Sequence, residues 1–385
     1  MSLLSVFALV SILAWVVLIL LRGGFWLADQ RLDGQPPHLD AWPEVAVLIP
    51  ARNESQTIRT AIASLMAQDY DGEYSLTVID DNSDDATAAI AGAAAEGWDH
   101  SFSIVSGAPP LEGWTGKLWA LAQGLEAAEN NAPDAEYVLF TDADIEHHPK
   151  NLKRLVAKAE EGRLDLVSLM VLLRCRNIWE RLLIPAFVFF FQKLYPFPWV
   201  NNPARNEAAA AGGCMLVRRS AIKRIGGLEP IKGRIIDDVA LAREIKRDGS
   251  IWLGLTETTR SLREYDTLAD IWKMVTRTAA EQLNRSPAML VFSVMGMTLI
   301  YLAPPVAAVS GWVGGDMPAM FLGAAGWLVM GFAYRPTLKL YGRPAALAAF
   351  LPLAALLYIL MTVHSFVLES QGRPAAWKGR HYANQ

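Results

Sequence analysis

The stretch Tyr137–Pro149, YVLFTDADIEHHP, runs from residues suited to a buried strand straight into Asp142 and Asp144, followed by Glu146, His147 and His148. In α/β sheets, ligands bind beyond the carboxyl ends of the strands. Clustered acids at the end of an apolar strand therefore read as a site. Asp142 and Asp144 flank the small Ala143 and can present oxygens to one hard cation that also holds phosphate. Without such a cation, two adjacent buried carboxylates resist ionising together. On this reading Asp144 and Asp142 are metal ligands. Two readings stay open for His147 and His148: they begin the helix that follows at KNLKRL, or they join the metal.

Working outward, VAVLIP (45–50), SLTVID (75–80) and LDLVSLMVL (164–172) also read as strands. Ser55–Gln68 and Gly116–Glu129 read as helices between them. Val-, Ile- and Leu-rich strands alternating with helices predict an α/β domain with a mostly parallel sheet. Three successive strand ends carry ARNES, DDNSDD and DADIE. One such loop is ordinarily a solvated turn, because Asp and Asn bond their own backbone. Three aligned on one sheet edge point to binding.

The chain has 385 residues, 52% of them hydrophobic and 19% charged. That balance, with a mean hydropathy of +0.22, implies a polar domain carrying membrane segments. Leu3–Leu21 is uncharged and matches the length of a span, giving an uncleaved anchor over residues 1–24. Three further apolar runs, Ala288–Val313, Met317–Tyr334 and Ala345–Leu368, make residues 287–368 a C-terminal membrane region, with a basic tail at 369–385.

Arg22 and Arg31 follow the first run and no basic residue precedes it, which places the polar domain in the cytoplasm. Arg335, Lys339 and Arg343 in the last inter-span loop agree. Arg373, Lys378 and Arg380 do not fit simple alternation, so one run reads as re-entrant or interfacial. The interrupted run Leu182–Val200 suits a surface helix at the headgroups over about 180–200, with a buried core helix as its alternative.

The net charge of −4 excludes a globally basic, nucleic-acid-binding surface. Cys175 and Cys214 lack CxxC spacing, which excludes a disulfide framework and a zinc site of the usual spacing and fits a reducing compartment.

Six motifs now stand in order: VLIPARNE (47–54), VIDDNSDD (78–85), GKLWALAQGL (116–125), TDADIE (141–146), AGGCMLVRR (211–219) and IDDVALAREIKR (236–247). Together they resemble glycosyltransferase family 2 over residues 44–286. The resemblance implies the GT-A fold, a Rossmann-like nucleotide-sugar-binding domain. EQLNRS (281–286), WKGRHY and the membrane layout are similar to the ceramide-glucosyltransferase branch, and LLIPAFVFFFQKLYPF and AAAAGGCMLVRR resemble the bacterial hopanoid-biosynthesis-associated subgroup.

What the resemblance implies is specific. Pro50, Ala51, Arg52 and Glu54 line a nucleoside pocket, and Asp81 binds the base. Lys117 meets the diphosphate, with an ordinary solvated lysine as the alternative. Asp144, assisted by Asp142, holds Mg2+ or Mn2+. Asp238 is the general base of an inverting transfer, and Leu241 marks the buried face of its helix. Asp237, Gly212, Gly213 and Gln282 stand on the acceptor side. Arg285 contacts the diphosphate or is a juxtamembrane anchor. Ser286 replaces the tryptophan of QxxRW.

The partners implied are a nucleotide-sugar donor such as a UDP-sugar, a lipid acceptor such as a hopanoid or other polyprenoid, and the membrane, with the enzyme in a bacterial inner membrane. A processive polysaccharide synthase, an inactive membrane scaffold and a two-metal phosphohydrolase are the rival classes. The synthase wants an intact QxxRW and more helices. The scaffold does not need Asp81, Asp144 and Asp238 together, and the hydrolase needs a histidine set that is lacking.

Overall fold

The structure, a computed structural model, describes residues 2–372 and the backbone of 376–377 and 380–381. The remainder of the basic tail expected at 369–385 lies outside the described residues. Leu3–Leu21 forms α1. The polar domain then runs β1 (Val45–Ala51), α2 (Ile58–Met66), β2 (Tyr74–Asp80), α3 (Thr87–Ala94), β3 (Phe102–Ser106), α4 (Gly116–Asn131) and β4 (Tyr137–Thr141). It continues with β5 (Ile145–Glu146), α5 (Asn151–Gly162), β6 (Leu166–Leu172), α6 (Ile178–Leu194), α7 (Phe197–Val200) and β7 (Cys214–Arg218). Next come α8 (Arg219–Arg224), α9 (Asp237–Lys246), β8 (Ile251–Ser261) and α10 (Leu268–Gln282). The C-terminal helices are α11 (Pro287–Met297), α12 (Ala303–Gly314), α13 (Met317–Leu340) and α14 (Leu351–Ser370).

The main sheet has the order β3-β2-β1-β4-β7-β6-β8-β5. Its first half, β3 to β4, is parallel, as expected. The second half is mixed. After β6 the chain leaves through α6 and α7, and β7 returns antiparallel to both β4 and β6. Among the described residues four of the seven pairings in this sheet are parallel, so the expected parallel majority holds, with the antiparallel pairings confined to β7 and the short β5.

Alternation along each strand serves two cores. In β1, Val45, Val47 and Ile49 pack with α2, α3 and α5, while Ala46 and Leu48 face the other way, toward α4. Gly124 on α4 allows the close approach there, since a Cβ would stand 2.7 Å from Ile79 Cδ1. The α4 face is continuous with α6 and with residues of the apolar helices, among them Trp15, Tyr301 and Met330. One core therefore joins the sheet to the helical layer.

The segment Leu182–Val200 is corrected by this packing. Leu183, Ile184, Ala186, Val188 and Phe189 of α6 are fully buried, so α6 is a core helix and not a surface helix. Its polar interruptions are matched inside: Gln192 Nε2 donates to Thr337 Oγ1 at 3.3 Å, and Lys193 Nζ to Tyr301 Oη at 2.8 Å. Satisfied buried polar groups are what such a position requires.

Among the described residues four helical stretches are long and apolar enough to cross a membrane: Leu3–Leu21, Pro287–Gly314, Met317–Leu340 and Ala345–Ser370. Phe292, Val313 and Leu328 stand at least 74% exposed on them. Large apolar side chains facing outward on all-apolar helices need a non-aqueous surrounding.

Candidate active site

The first two acidic loops interlock. Ala51 pairs with Asp80 at the parallel ends of β1 and β2, next to Pro50. Asn53 and Asn82 follow with φ of 52° each, left-handed conformations that Asn tolerates. Asp84 N donates to Asn53 Oδ1 at 2.8 Å, and Asn53 N to Ser83 Oγ at 3.0 Å. Arg52 donates to the carbonyl oxygens of Asp81 and Asn82 and lies 3.6 Å from Asp84. Asp81 is completely buried beneath this pair of loops.

A charged cluster forms where β4, α4 and α9 meet. Lys117, in the first turn of α4, lies 2.8 Å from Asp142 Oδ1 and 3.6 Å from Asp237 Oδ2. Asp238 Oδ2 accepts from Gly212 N at 2.8 Å, and its Oδ1 from Val239 N at 2.7 Å. A Cβ on Gly212 would stand 3.2 Å from Lys117 Nζ and 3.4 Å from Asp238 Oδ2, so the glycine keeps that gap open. Gly213 O accepts from Asp142 N at 3.3 Å and from Thr141 Oγ1 at 3.0 Å. Leu241 is buried on the inner face of α9.

These contacts set the charges. Burial works against the Lys117 ammonium, but Asp142 and Asp237 outweigh it and hold the group well above the usual lysine range. Burial, then the Asp237 charge, pushes the Asp238 carboxyl up to about 7, with Lys117 opposing. Lys117 is thus an ion-paired group of the cluster and not a solvated lysine. A carboxylate poised near neutral pH inside a polar cluster has the property of a general base.

Asp144 is held by a residue that the motifs did not reveal. Arg263 Nε donates to Asp144 Oδ2 at 2.7 Å, and its Nη2 to Glu54 Oε1 at 3.0 Å. The Asp144 side chain is 6% exposed and that of Asp142 36% exposed. Burial works against the Arg263 charge, and Asp144 and Glu54 overcome it. Among the described residues no group of three or more His, Cys, Asp or Glu side chains is arranged to hold a metal ion alone. Two hard carboxylates still fit Mg2+ or Mn2+, ions that keep several water and phosphate ligands.

His147 is structural. Its ring is buried, with Nε2 2.9 Å from Thr141 Oγ1 and Nδ1 2.9 Å from Asn151 Nδ2. Asn151 donates to Nδ1, and Nε2–H donates to Thr141, which passes its own proton to Gly213 O. Burial drives its pKa down to about 3, so the ring stays neutral with both nitrogens engaged. His148 Nδ1 accepts from Lys150 N at 3.1 Å, a turn before α5.

Beyond α10 the picture divides. The Gln282 amide meets Tyr195 Oη, with Nε2 at 2.8 Å and Oε1 at 3.0 Å. Burial raises the Tyr195 phenol, and the charges of Arg243 and Asp238 reach it. Arg285 is engaged by Glu281 at 3.3 Å and by Glu369 of α14 at 2.9 Å, a junction between α10 and the last apolar helix. The motifs do not point to Arg263 or Tyr195; the former lies two residues after the end of β8, the latter within the aromatic run of residues 187–199.

Comparison with known proteins matches part of this chain to a family. Residues 46–226 match Glycosyl transferase family 2. An undecaprenyl-phosphate 4-deoxy-4-formamido-L-arabinose transferase of Proteus mirabilis is 31% identical over 31% of this chain and 34% of its own length. A probable glycosyltransferase, YdaM, of Bacillus subtilis is 26% identical over 60% of this chain and 54% of its own. The chain thus spans about a third to a half of these curated relatives. In three dimensions the chain is similar to the mannosyltransferase PcManGT of Pyrobaculum calidifontis, solved with GDP-Man and Mn2+. The TM-score is 0.53 at 18% identity, covering 95% of this chain and 99% of that one, a likeness of fold. The architecture is therefore a GT-A type α/β domain with one N-terminal and three C-terminal apolar helical stretches.

Proposed function

We propose that this chain is a membrane-embedded, metal-dependent, inverting glycosyltransferase that moves a sugar from a nucleotide donor onto a lipid hydroxyl. The observation that carries the reading is the meeting of Asp238, Gly212, Lys117 and Asp142 at one sheet edge. In this reading residues 44–286 form the catalytic domain, and the core on its α4 side is continuous with the apolar helices.

In this reading Asp238 takes the proton of the acceptor hydroxyl. The freed oxygen pair forms the new glycosidic bond at the anomeric carbon, and the bond from that carbon to the diphosphate breaks. Its electron pair leaves with the nucleoside diphosphate, whose charge Lys117 is placed to offset. Attack opposite the leaving group inverts the anomeric centre. Burial of Asp238 against Asp237 supports its role, because a raised pKa makes it a stronger base than a solvated carboxylate. Asp142 and Asp144 would hold Mg2+ or Mn2+, which supplies charge neutralisation at the diphosphate. Pro50, Ala51, Arg52, Glu54 and Asp81 would receive the nucleoside, with Asp237, Gly212, Gly213 and Gln282 on the acceptor side. Arg285, engaged by two carboxylates, fits its juxtamembrane alternative better than a diphosphate contact.

A lipid acceptor is supported by the four apolar stretches and by the undecaprenyl-phosphate transferase among the relatives. A UDP-sugar, a hopanoid or other polyprenoid acceptor and a cytoplasmic face of a bacterial inner membrane complete the proposal, on the resemblance of motifs. The test is transfer of radiolabel from UDP-glucose or GDP-mannose to extracted bacterial lipid by the full chain in detergent with Mn2+. Chloroform-soluble label that requires Asp238 supports the reading. Long polymer would favour a synthase, and equal labelling by Asp238→Asn would remove the base assignment.

A further inference from the structure

Arg263 occupies the carboxylate of Asp144, one of the two proposed metal ligands. Its guanidinium spans Asp144 at 2.7 Å and Glu54 at 3.0 Å, joining the metal-type loop to the nucleoside-type loop. The backbone aims it there. Leu262 N donates to Asp144 O at 2.7 Å, and Tyr265 N donates to Glu180 Oε1 at 3.2 Å. Glu180 is itself completely buried and accepts from Arg176 N and Asn177 N at 2.6 and 3.1 Å. The loop is pinned on both sides of Arg263, so the ion pair is built into the fold and not a chance surface contact.

Lys117 does the same for Asp142, at 2.8 Å. Each carboxylate of the Asp142–Asp144 pair thus has its own internal cation. A free divalent ion approaching these aspartates meets two positive charges, and its attraction to the pair is largely cancelled. A nucleoside diphosphate reverses the balance, because its phosphate oxygens bring negative charge, add ligands for the ion and offer the guanidinium a new bidentate partner.

We propose that Arg263 is a positioning residue that makes divalent-cation binding conditional on nucleotide: it holds Asp144 alone and yields it when metal and diphosphate arrive together. This rests on the reading of Asp142 and Asp144 as metal ligands.

The experiment measures Mn2+ binding to the full chain in detergent by isothermal titration and by the free-Mn2+ paramagnetic resonance signal, with and without UDP or GDP. The wild type takes up Mn2+ well only with a nucleoside diphosphate. Arg263→Gln binds Mn2+ without nucleotide roughly 10- to 100-fold tighter than wild type, the range over which partners of ligating carboxylates alter metal affinity. Arg263→Lys, which keeps the charge, stays close to wild type. Mn2+ alone raises the melting temperature of Arg263→Gln and not of wild type, which also shows that the variant is folded. If wild type binds Mn2+ with nucleotide but Arg263→Gln gains nothing without it, the inference falls and the metal reading stands. If no variant binds Mn2+ even with nucleotide, both fall.

Discussion

The carboxylate of Asp238 and the backbone N–H of Gly212 are joined at 2.8 Å, and a Cβ at 212 would stand 3.2 Å from Lys117 Nζ and 3.4 Å from Asp238 Oδ2. The bond orients Asp238, while burial and Asp237 raise its pKa to about 7. Acceptor kcat/KM is expected to rise about tenfold per pH unit below that value and to level off above it, since the profile reports the free enzyme's base. Asp238→Asn should lose this limb and about 100- to 10,000-fold in rate. Stability gives a second readout. A carboxyl whose folded pKa is raised favours the fold while protonated, and that contribution is lost as pH rises from about 4 through about 7. Asp238→Asn should therefore melt higher than wild type at pH 8, with a smaller gap at pH 5.

Lys117 ties Asp142 of the β4 loop to Asp237 of α9. Lys117→Met keeps the length of the side chain and removes the charge. Three carboxylates then lose a common cation in a cluster that is only partly exposed, and the loss is expected to cost about 1–3 kcal/mol. Because Lys117 lowers the Asp238 pKa, its removal should also move the acid limb of the pH profile to higher pH. Chemical denaturation and the pH dependence of acceptor kcat/KM check the two effects separately. A loss of stability with an unmoved limb would separate Lys117 from Asp238.

Much of this arrangement is legible in the chain, and the gaps have physical causes. Apolar runs ending in acids disclosed β1, β2 and β4, because buried parallel strands need continuous hydrophobicity and their ends carry the polar groups. The strand β8, IWLGLTETTRS, is apolar only in its first half, which gives its pattern no clear strand signal. Arg263 was lost with it, for it sits just after β8, where a recognised strand would have drawn attention. α6 misled for another reason. Gln192 and Lys193 look like a polar face in one dimension, and only the packed helices supply Thr337 and Tyr301 as their partners. The contact of Lys117 with Asp237 joins two distant segments that no local pattern relates.

His147 separates a structural histidine from a ligand. Its two nitrogens are matched to Thr141 and Asn151 in a buried chain that ends on Gly213 O. His147→Ala leaves buried polar partners unmatched and opens a cavity, a loss of about 2–4 kcal/mol. The melting temperature should fall by several degrees. Mn2+ affinity in the presence of UDP should stay within about twofold of wild type, well short of what losing a metal ligand or its partner costs. A loss of Mn2+ affinity beyond tenfold would return His147 to the metal site.

Tyr195 joins the end of α6 to Gln282 at the end of α10, a residue proposed for the acceptor side. Its hydroxyl meets Gln282, and its ring packs 5.2 Å from Phe191, so a polar pair stands at the edge of an aromatic wall that leads to the apolar helices. Burial raises the phenol's pKa, and the Asp238 charge adds to that rise. If the proposed acceptor approaches along this wall, the Tyr195–Gln282 pair is the polar contact it meets there. Tyr195→Phe removes one hydroxyl and keeps the ring, which is worth about 1 kcal/mol of hydrogen bonding, or roughly fivefold. Acceptor KM for extracted lipid should rise by that factor, while donor KM and the slow hydrolysis of donor by water stay unchanged. An equal rise in donor KM would place Tyr195 in the general packing of the site, and an unchanged acceptor KM would route the lipid by another path.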